Sequence, residues 1–469
     1  MTTYASDAKI ISCILSSPDG TRSKDIINLI ERFDYFEDIN KPSTHAKLML
    51  SDSGENIVSS FPIQGFEKIE IEVENGDGEF TYIFRVNRIM NRFQGQRFQA
   101  YVLVLYSEEA LINESIKIAA TVAERPENIV GAMLQKLNTQ KTLSLDPTLF
   151  KTKFHIPKRS PFSVIDYVKT RSVYGASEPK TVTSAKLPKF KNETGVLTTA
   201  SSDLGGVENT DYKKAGGTAG YLFYETRTGY HFKSLETLFK SEGEKEYPSY
   251  YLEPNEGQHS ANQKIVDITF NNEIDILSKL RMGAFSSVLC TYDFSTGKYD
   301  EHVYSLADSY DSLTHLGSQA GLPIGQKELS KYPTRVMSVL TDHETWNSEA
   351  TIGSPDEEDG GSSNPDYPDF QKHYLMQSIA RSHTVANQQV EIKITGNFQL
   401  GVGDKINIYI PNQIPSANRT ADPYDTEHSG TYLISKINHV VESKNEVGVS
   451  FLTLIRDTYG TEESASNVK

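Results

Sequence analysis

At 469 residues, 37% of them hydrophobic and 23% charged, the chain is too long for one ordinary domain, and its composition is neither that of a disordered chain nor that of a membrane protein. Lys and Arg total 47 against 62 Asp and Glu, a net charge of −15, and no run of four consecutive Lys or Arg occurs. That excludes the basic footprint a duplex-binding protein needs, although an acidic wall can still line a passage through which DNA slides without sticking.

Tyr (25) and Phe (21) are abundant beside a single Trp, a bias toward half-buried pleated surfaces and hence a β-rich chain. The two cysteines, Cys13 and Cys290, lie far apart in apolar runs, too few for a disulfide framework or a zinc site. Met1 to Asp7 lacks the regions of a signal peptide, and no stretch approaches the ~18 apolar residues of a membrane helix. A reducing cytoplasm is the expected site of synthesis.

In chain order, Ala46–Leu50 reads as a short strand. Ile69, Ile71 and Val73 alternate with Glu70, Glu72 and Glu74; Asn75-Gly76-Asp77-Gly78 supplies turn residues, and Phe80, Tyr82, Phe84 and Val86 resume the alternation. This predicts a β-hairpin. Phe98 to Tyr106 is apolar on both faces, as a central strand is. Ser107-Glu108-Glu109 marks a helix start, and Pro126 opens a second helix with Ile129, Val130, Met133, Leu134 and Leu137 as its buried stripe. Ser160-Pro161 opens a third, with Val164, Ile165 and Val168 on one face. Residues 175–215 are polar and aperiodic, a loop excursion. Tyr221–Glu225, Thr226–Gly229 and Tyr230–Phe232 then form a compact aromatic hairpin, followed by the amphipathic turn Ser234–Phe239.

The β-pattern returns from Ile265. Val288–Tyr292 and Glu301–Leu306 flank Ser295-Thr296-Gly297 as a further hairpin. Ser354–Asp369 is acidic and rich in Gly, Ser and Pro, so a mobile loop is expected. A helix near Phe370–His383 precedes four strands: Val390–Thr395, Lys405–Ile410, Thr431–Val440 and Val447–Ile455. Two β-regions thus bracket a mixed middle. A faint echo links them, Ala46–Asp52 with Ser287–Asp293.

Catalytic signatures are missing. No Gly-Lys-Ser/Thr closes a phosphate loop, and Gly216–Gly220 lacks the strand–turn–helix context. His343-Glu344 has Asn347 where a zinc-protease helix needs its second His; His373 and His383 are too far apart to ligate together. Asp356–Asp359 does not alternate around a turning Gly as a calcium loop does. A glycosidase needs only two carboxylates, which 62 acids cannot exclude, but a single Trp argues against a sugar-stacking cleft. No Gly-x-Ser-x-Gly elbow occurs. The expectation is no enzyme, no catalytic residues, no metal and no cofactor.

The sharpest local pattern is Gly396-Asn397-Phe398-Gln399-Leu400-Gly401-Val402-Gly403-Asp404-Lys405-Ile406. Its glycines permit sharp reversals, and Asp404 can bond its own backbone before a buried strand. This run resembles the Gly-Asn-x-x-Leu-x-Val-Gly-Asp-x-Ile segment of the central baseplate hub subunits of T-even-like contractile phages, relatives of the N-terminal part of VgrG proteins. Pro161–Tyr167 resembles the helix of that family's middle region, and Leu222–Leu235 its aromatic hairpin. Asn271–Leu277 with Gly283–Val288 resembles the start of its second barrel. The order of these segments, spanning most of residues 160–455, carries the resemblance. The stretches 175–215 and 351–369 depart from compact members.

The resemblance implies an α+β, β-rich fold: two tube-like β-barrel domains bracketing a mixed α/β middle region. The first barrel would be 1–115 and the middle domain 116–263. The second barrel would take 264–310 and 384–458, with an insertion at 311–383 and a polar tail at 459–469. It also implies a homotrimeric virion protein, assembled in the host cytoplasm, that adapts a six-fold tail tube to a three-fold central spike. Its partners would be itself, the tail tube protein, the spike and other baseplate proteins, with transient contact to tape-measure protein or ejected DNA in a channel. The structural motif residues would be Phe223, Tyr224, Gly229, Phe232, Gly396, Asn397, Leu400, Gly403 and Asp404. The alternatives are a virion-associated hydrolase of cell wall or surface polysaccharide, and a distal-tail or host-adsorption protein.

Overall fold

The computed structural model describes residues 6–54, 57–76, 78–95, 98–149, 152–175, 178–190, 197–198, 217–241, 246–252, 260–271, 275–294, 297–317, 322–341, 371–412 and 424–458. The expected acidic loop, most of the 175–215 excursion, His343-Glu344 and the polar tail lie outside these residues.

One large sheet dominates a β-rich chain. Its N-terminal strands are β1 (Ser6–Ser16), β2 (Ile30–Asp38), β3 (His45–Asp52), β4 (Lys68–Asn75), β5 (Gly78–Gln94) and β6 (Gln99–Tyr106). The predicted hairpin is β4–β5, with Val73 opposite Phe80 and Ile71 opposite Tyr82. Its alternation works as read: Ile69, Ile71 and Val73 are fully buried. Strand β6 is flanked by β3 and β5, the central position its two apolar faces predicted.

The middle begins with helix α1 (Pro126–Lys136), whose expected stripe is wholly buried. After β7 (Thr142–Leu145) comes α2 (Pro161–Lys169), then the aromatic hairpin β8 (Tyr221–Thr226) and β9 (Gly229–Ser234), with β7 parallel to β9. These elements enclose a core of their own.

Further on are β10 (Ser249–Tyr251), β11 (Ile265–Phe270), β12 (Ser286–Asp293), β13 (Tyr299–Ser305), β14 (Arg335–Thr341), helix α3 (Gln371–Thr384), β15 (Gln388–Thr395), β16 (Lys405–Tyr409), β17 (Gly430–Glu442) and β18 (Val447–Arg456). The last four are the predicted C-terminal strands. The hairpin β12–β13 also forms, and on its other side β12 pairs with the parallel strand β14, from the stretch 311–383. These three make a separate sheet. The two echoing segments therefore lie in different sheets, Ala46–Asp52 in the large one and Ser287–Asp293 in the small one.

Pairing in the large sheet runs in two adjoining circuits. The first passes β1–β4–β5–β6–β3–β2–β17–β18 and returns to β1 through Ser6 opposite Gly448. The second passes β17–β18–β15–β11 and, across a bridge between Lys264 and Tyr251, continues through β10 and β16 back to β17. Each circuit has its own apolar core. Strands β17 and β18 belong to both, so the C-terminal hairpin is the shared wall.

Candidate functional site

The residues of the sharpest sequence pattern lie where the two circuits and the middle hairpin meet. On β2, strand alternation turns Phe33, Tyr35 and Glu37 to the buried face. A carboxylate in that row must find donors. Glu37 Oε1 accepts from the Tyr35 hydroxyl at 2.6 Å and from the Arg227 amide at 2.8 Å, and Oε2 accepts from the Val402 amide at 2.8 Å. Arg227 is in the β8–β9 turn and Val402 in the β15–β16 loop, so one side chain ties three regions together. Burial pushes the Glu37 carboxyl up, the three donors pull it back, and it settles at about 7.

The β15–β16 loop, Gly396–Asp404, is built on the shared wall. The Gly396 amide donates to Gly448 at 2.9 Å and its carbonyl accepts from Asn75 Nδ2 at 2.9 Å. A Cβ on Gly396 would come within 2.8 Å of the Gly448 carbonyl carbon, so the two backbones approach this closely only with glycine. Asn397 turns the loop through its Oδ1, which accepts from the Gln399 amide at 3.1 Å; its Nδ2 reaches the Tyr250 hydroxyl on β10 at 3.1 Å. The Leu400 carbonyl accepts from His439 Nε2 at 3.1 Å, while His439 Nδ1 accepts from the Ser450 hydroxyl at 2.7 Å. Burial holds this imidazole neutral, its pKa down at about 4. Gly403 has φ +94°, and a Cβ there would overlap the Tyr224 hydroxyl. Asp404 Oδ2 accepts from the Gly401 amide at 2.8 Å, so the carboxylate closes the loop three residues back and not on its own backbone.

The hairpin divides its side chains between two cores. Phe223 and Phe232 stand opposite one another in the middle core, with Phe223 stacked on Tyr230 at 5.6 Å. Tyr224 faces the other way, beside Gly403 and stacked on His231 at 4.9 Å. Gly229 sits at φ +150°, where a Cβ would lie 2.6 Å from the Thr142 carbonyl oxygen of β7. The structure thus brings Tyr224, Gly403 and Asp404 to one seam, and places Phe223 and Phe232 in the middle core and Gly229 against β7.

Sequence reasoning missed the buried charges that fasten this seam. Glu225 accepts from the Thr44 amide at 2.8 Å and pairs with Lys141, which also pairs with Glu109 at 2.8 Å. Burial raises the Glu225 carboxyl against the pull of Lys141, whereas Lys141 holds Glu109 low in spite of its burial. The available signals were a glutamate in register with Phe33 and Tyr35, and another inside the apolar run Tyr221–Thr226.

A cavity of about 200 Å³ opens at the seam, lined by Tyr35, Glu37, Tyr82, Arg227, Asp404 and His439 among others. Both carboxylate oxygens of Glu37 and both ring nitrogens of His439 are already bonded to the protein. In this geometry they act as struts. Among the described residues, no group of three or more His, Cys, Asp or Glu is placed to hold a metal ion, and no helix is long and apolar enough to cross a membrane.

No family model and no curated protein matches the chain. Solved structures do. A tail protein from Neisseria meningitidis MC58 aligns over 97% of both chains at 8% identity, with a TM-score of 0.47. The 43 kDa tail protein of prophage MuSo2 from Shewanella oneidensis aligns over 96% of this chain and 100% of its own, at 8% identity and a TM-score of 0.44. An Escherichia coli component of the type VI secretion system, described as structurally similar to T4 tail proteins, aligns over 97% of this chain and 79% of its own, at 9% identity and a TM-score of 0.39.

Proposed function

We propose that the chain is a structural baseplate subunit of a contractile phage tail, a hub that joins a six-fold tail tube to a three-fold spike. The observation that carries this reading is the pair of adjoining strand circuits sharing β17 and β18, with the Gly396–Asp404 run at their seam. On this reading each circuit is one tube-like unit, and three chains around an axis present six of them to the tube. The first unit is built mainly from residues 1–115 and the second mainly from residues after 384 together with β10 and β11, with the rest of residues 116–263 as the buttress between them.

The seam supports a mechanical role. Two units held in fixed relation must not swing, and Glu37, Glu225 with Lys141, and the Tyr224–Gly403 contact fix the hairpin to both circuits. The motif residues Phe223, Tyr224, Gly229, Phe232, Gly396, Asn397, Leu400, Gly403 and Asp404 are assigned this structural duty. The trimer would enclose a passage for DNA at ejection, and the net charge of −15 suits a wall to which DNA does not adhere. The test is the mass of the purified chain in solution, with electron microscopy of its mixture with tail tube protein. Trimers seated on the tube end support the reading; a monomer that ignores the tube refutes it.

A further inference from the structure

The small sheet, ordered β13–β12–β14, has two edges, and they are built differently. Strand β13 carries Asp300, Glu301 and His302 in succession, the kind of charge with which an edge repels a further strand. Its carboxylates are engaged at home: Asp300 pairs with Lys298 at 2.7 Å, and Glu301 accepts from the Tyr299 hydroxyl at 2.5 Å. Strand β14 has none of these devices. From Val336 to Leu340 it holds no charge, proline or glycine, and its seven residues pair with β12 without a bulge. Among the described residues no strand covers its other side, so a row of backbone N–H and C=O groups is open there to a further strand.

Side chains along β14 define the strand that fits. On the outer face Val336 and Leu340, 68% and 64% exposed, end the rows Val303–Val288–Val336 and Tyr299–Tyr292–Leu340. A strand laid beside β14 extends both rows, so it needs apolar side chains at alternate positions. At the head of β14, Arg335 donates to the Met282 carbonyl at 3.1 Å, and among the described residues no carboxylate pairs with it. Burial, and after it Arg335 and Lys279, push the His383 imidazole down, so this corner is locally positive in a chain of net charge −15.

We propose that β14 takes up an extended segment of a different polypeptide as a fourth strand, apolar at alternate positions and with a carboxylate at the end that meets Arg335. Main-chain bonds supply the affinity, while the apolar rows and Arg335 set register and direction. A second copy of this chain is the poorer occupant: β14 offers no carboxylate to another β14, and the acids of β13 are already bonded. This strand addition is independent of how the chain meets a tube or a spike.

The experiment uses the full chain and fluorescent peptides of about eight residues, alternating Val and Thr, with Glu at the N-terminal or the C-terminal end. Anisotropy reads binding, and hydrogen exchange reads which amides become protected. One Glu placement should bind and slow exchange in β14 while leaving β13 unchanged. N-methylation of alternate peptide amides blocks one edge of an extended peptide. One methylation pattern should therefore lose at least ~10-fold in affinity and the complementary pattern little. Arg335→Glu, its fold checked by Tm and far-ultraviolet dichroism, should weaken the Glu peptide roughly 3- to 10-fold and favour a Lys counterpart. The proposal is overturned by absence of binding, by equal loss from both methylation patterns, or by affinity indifferent to Arg335→Glu. Protection of β14 that grows with protein concentration and needs no peptide also overturns it, giving the edge to a second copy. A chain that seats on tail tube as a trimer yet takes up no peptide loses the strand addition and keeps the hub reading.

Discussion

Replacing Glu37 by Gln tests the seam at its most connected point. The carboxyl receives donors from Tyr35, Arg227 and Val402. Gln can keep the two bonds at Oε1, but its amide nitrogen then faces the Val402 N–H, leaving one buried donor unsatisfied at roughly 1–3 kcal/mol. Against this runs a pH-dependent term. The folded carboxyl lies at about 7, above its ordinary 4.5, so the folded chain binds this proton more tightly than the unfolded one. That contribution is full below pH ~4.5, is lost as pH rises through 7, and amounts to about 3 kcal/mol at most. Gln has no such term. The variant should therefore be less stable than wild type by ~1–3 kcal/mol at pH 4.5–5, with the gap closing or reversing by pH 8. Paired urea or thermal denaturation curves at several pH values measure the difference, in which other titrating groups largely cancel. A gap that widens with pH would refute the account of how this carboxyl is held.

Lys141→Met leaves the buried Glu225 and Glu109 without their cation and should cost about 3–5 kcal/mol, part of it recovered by adding Glu225→Gln, as read by denaturant titration. Gly403→Ala combines a left-handed backbone with the overlap on Tyr224 and should lower stability by at least ~2 kcal/mol. Adding Tyr224→Phe should relieve only the overlap, and a neutral Gly403→Ala would count against the seam geometry. Burial, with Asp25 adding to it, pushes the Cys13 thiol up to about 12, so peptide mapping after maleimide treatment of the native chain should find label on Cys290 and none on Cys13 until denaturant is added.

Local features were legible in the sequence wherever local chemistry decides them. The β4–β5 hairpin followed from strict alternation around a turn, α1 and α2 from a proline in the first turn, and the aromatic hairpin from its composition. Strand β2 was not read, because Asp34, Phe36 and Asp38 interleave its core-facing row and blur the pattern. Its pairing with β17 joins Phe36 to Asn438 across nearly the whole chain, a relation no periodicity reports. Strand β14 lies parallel to β12 behind a long connection, so no turn signal announces it. The motif loop was found from its glycines, but its partners were not. Lys141, in a polar stretch resembling an ordinary surface turn, meets Glu225 only once the fold is complete.

The most direct test of the hub assignment is cryo-electron microscopy of the purified chain bound to the end of its tail tube. The account predicts three copies per ring, each contributing its two strand circuits, so that six similar β-units face the tube with β17 and β18 as the wall between each pair. Six copies per ring with one circuit each against the tube, or a monomer with no affinity for it, would contradict the account.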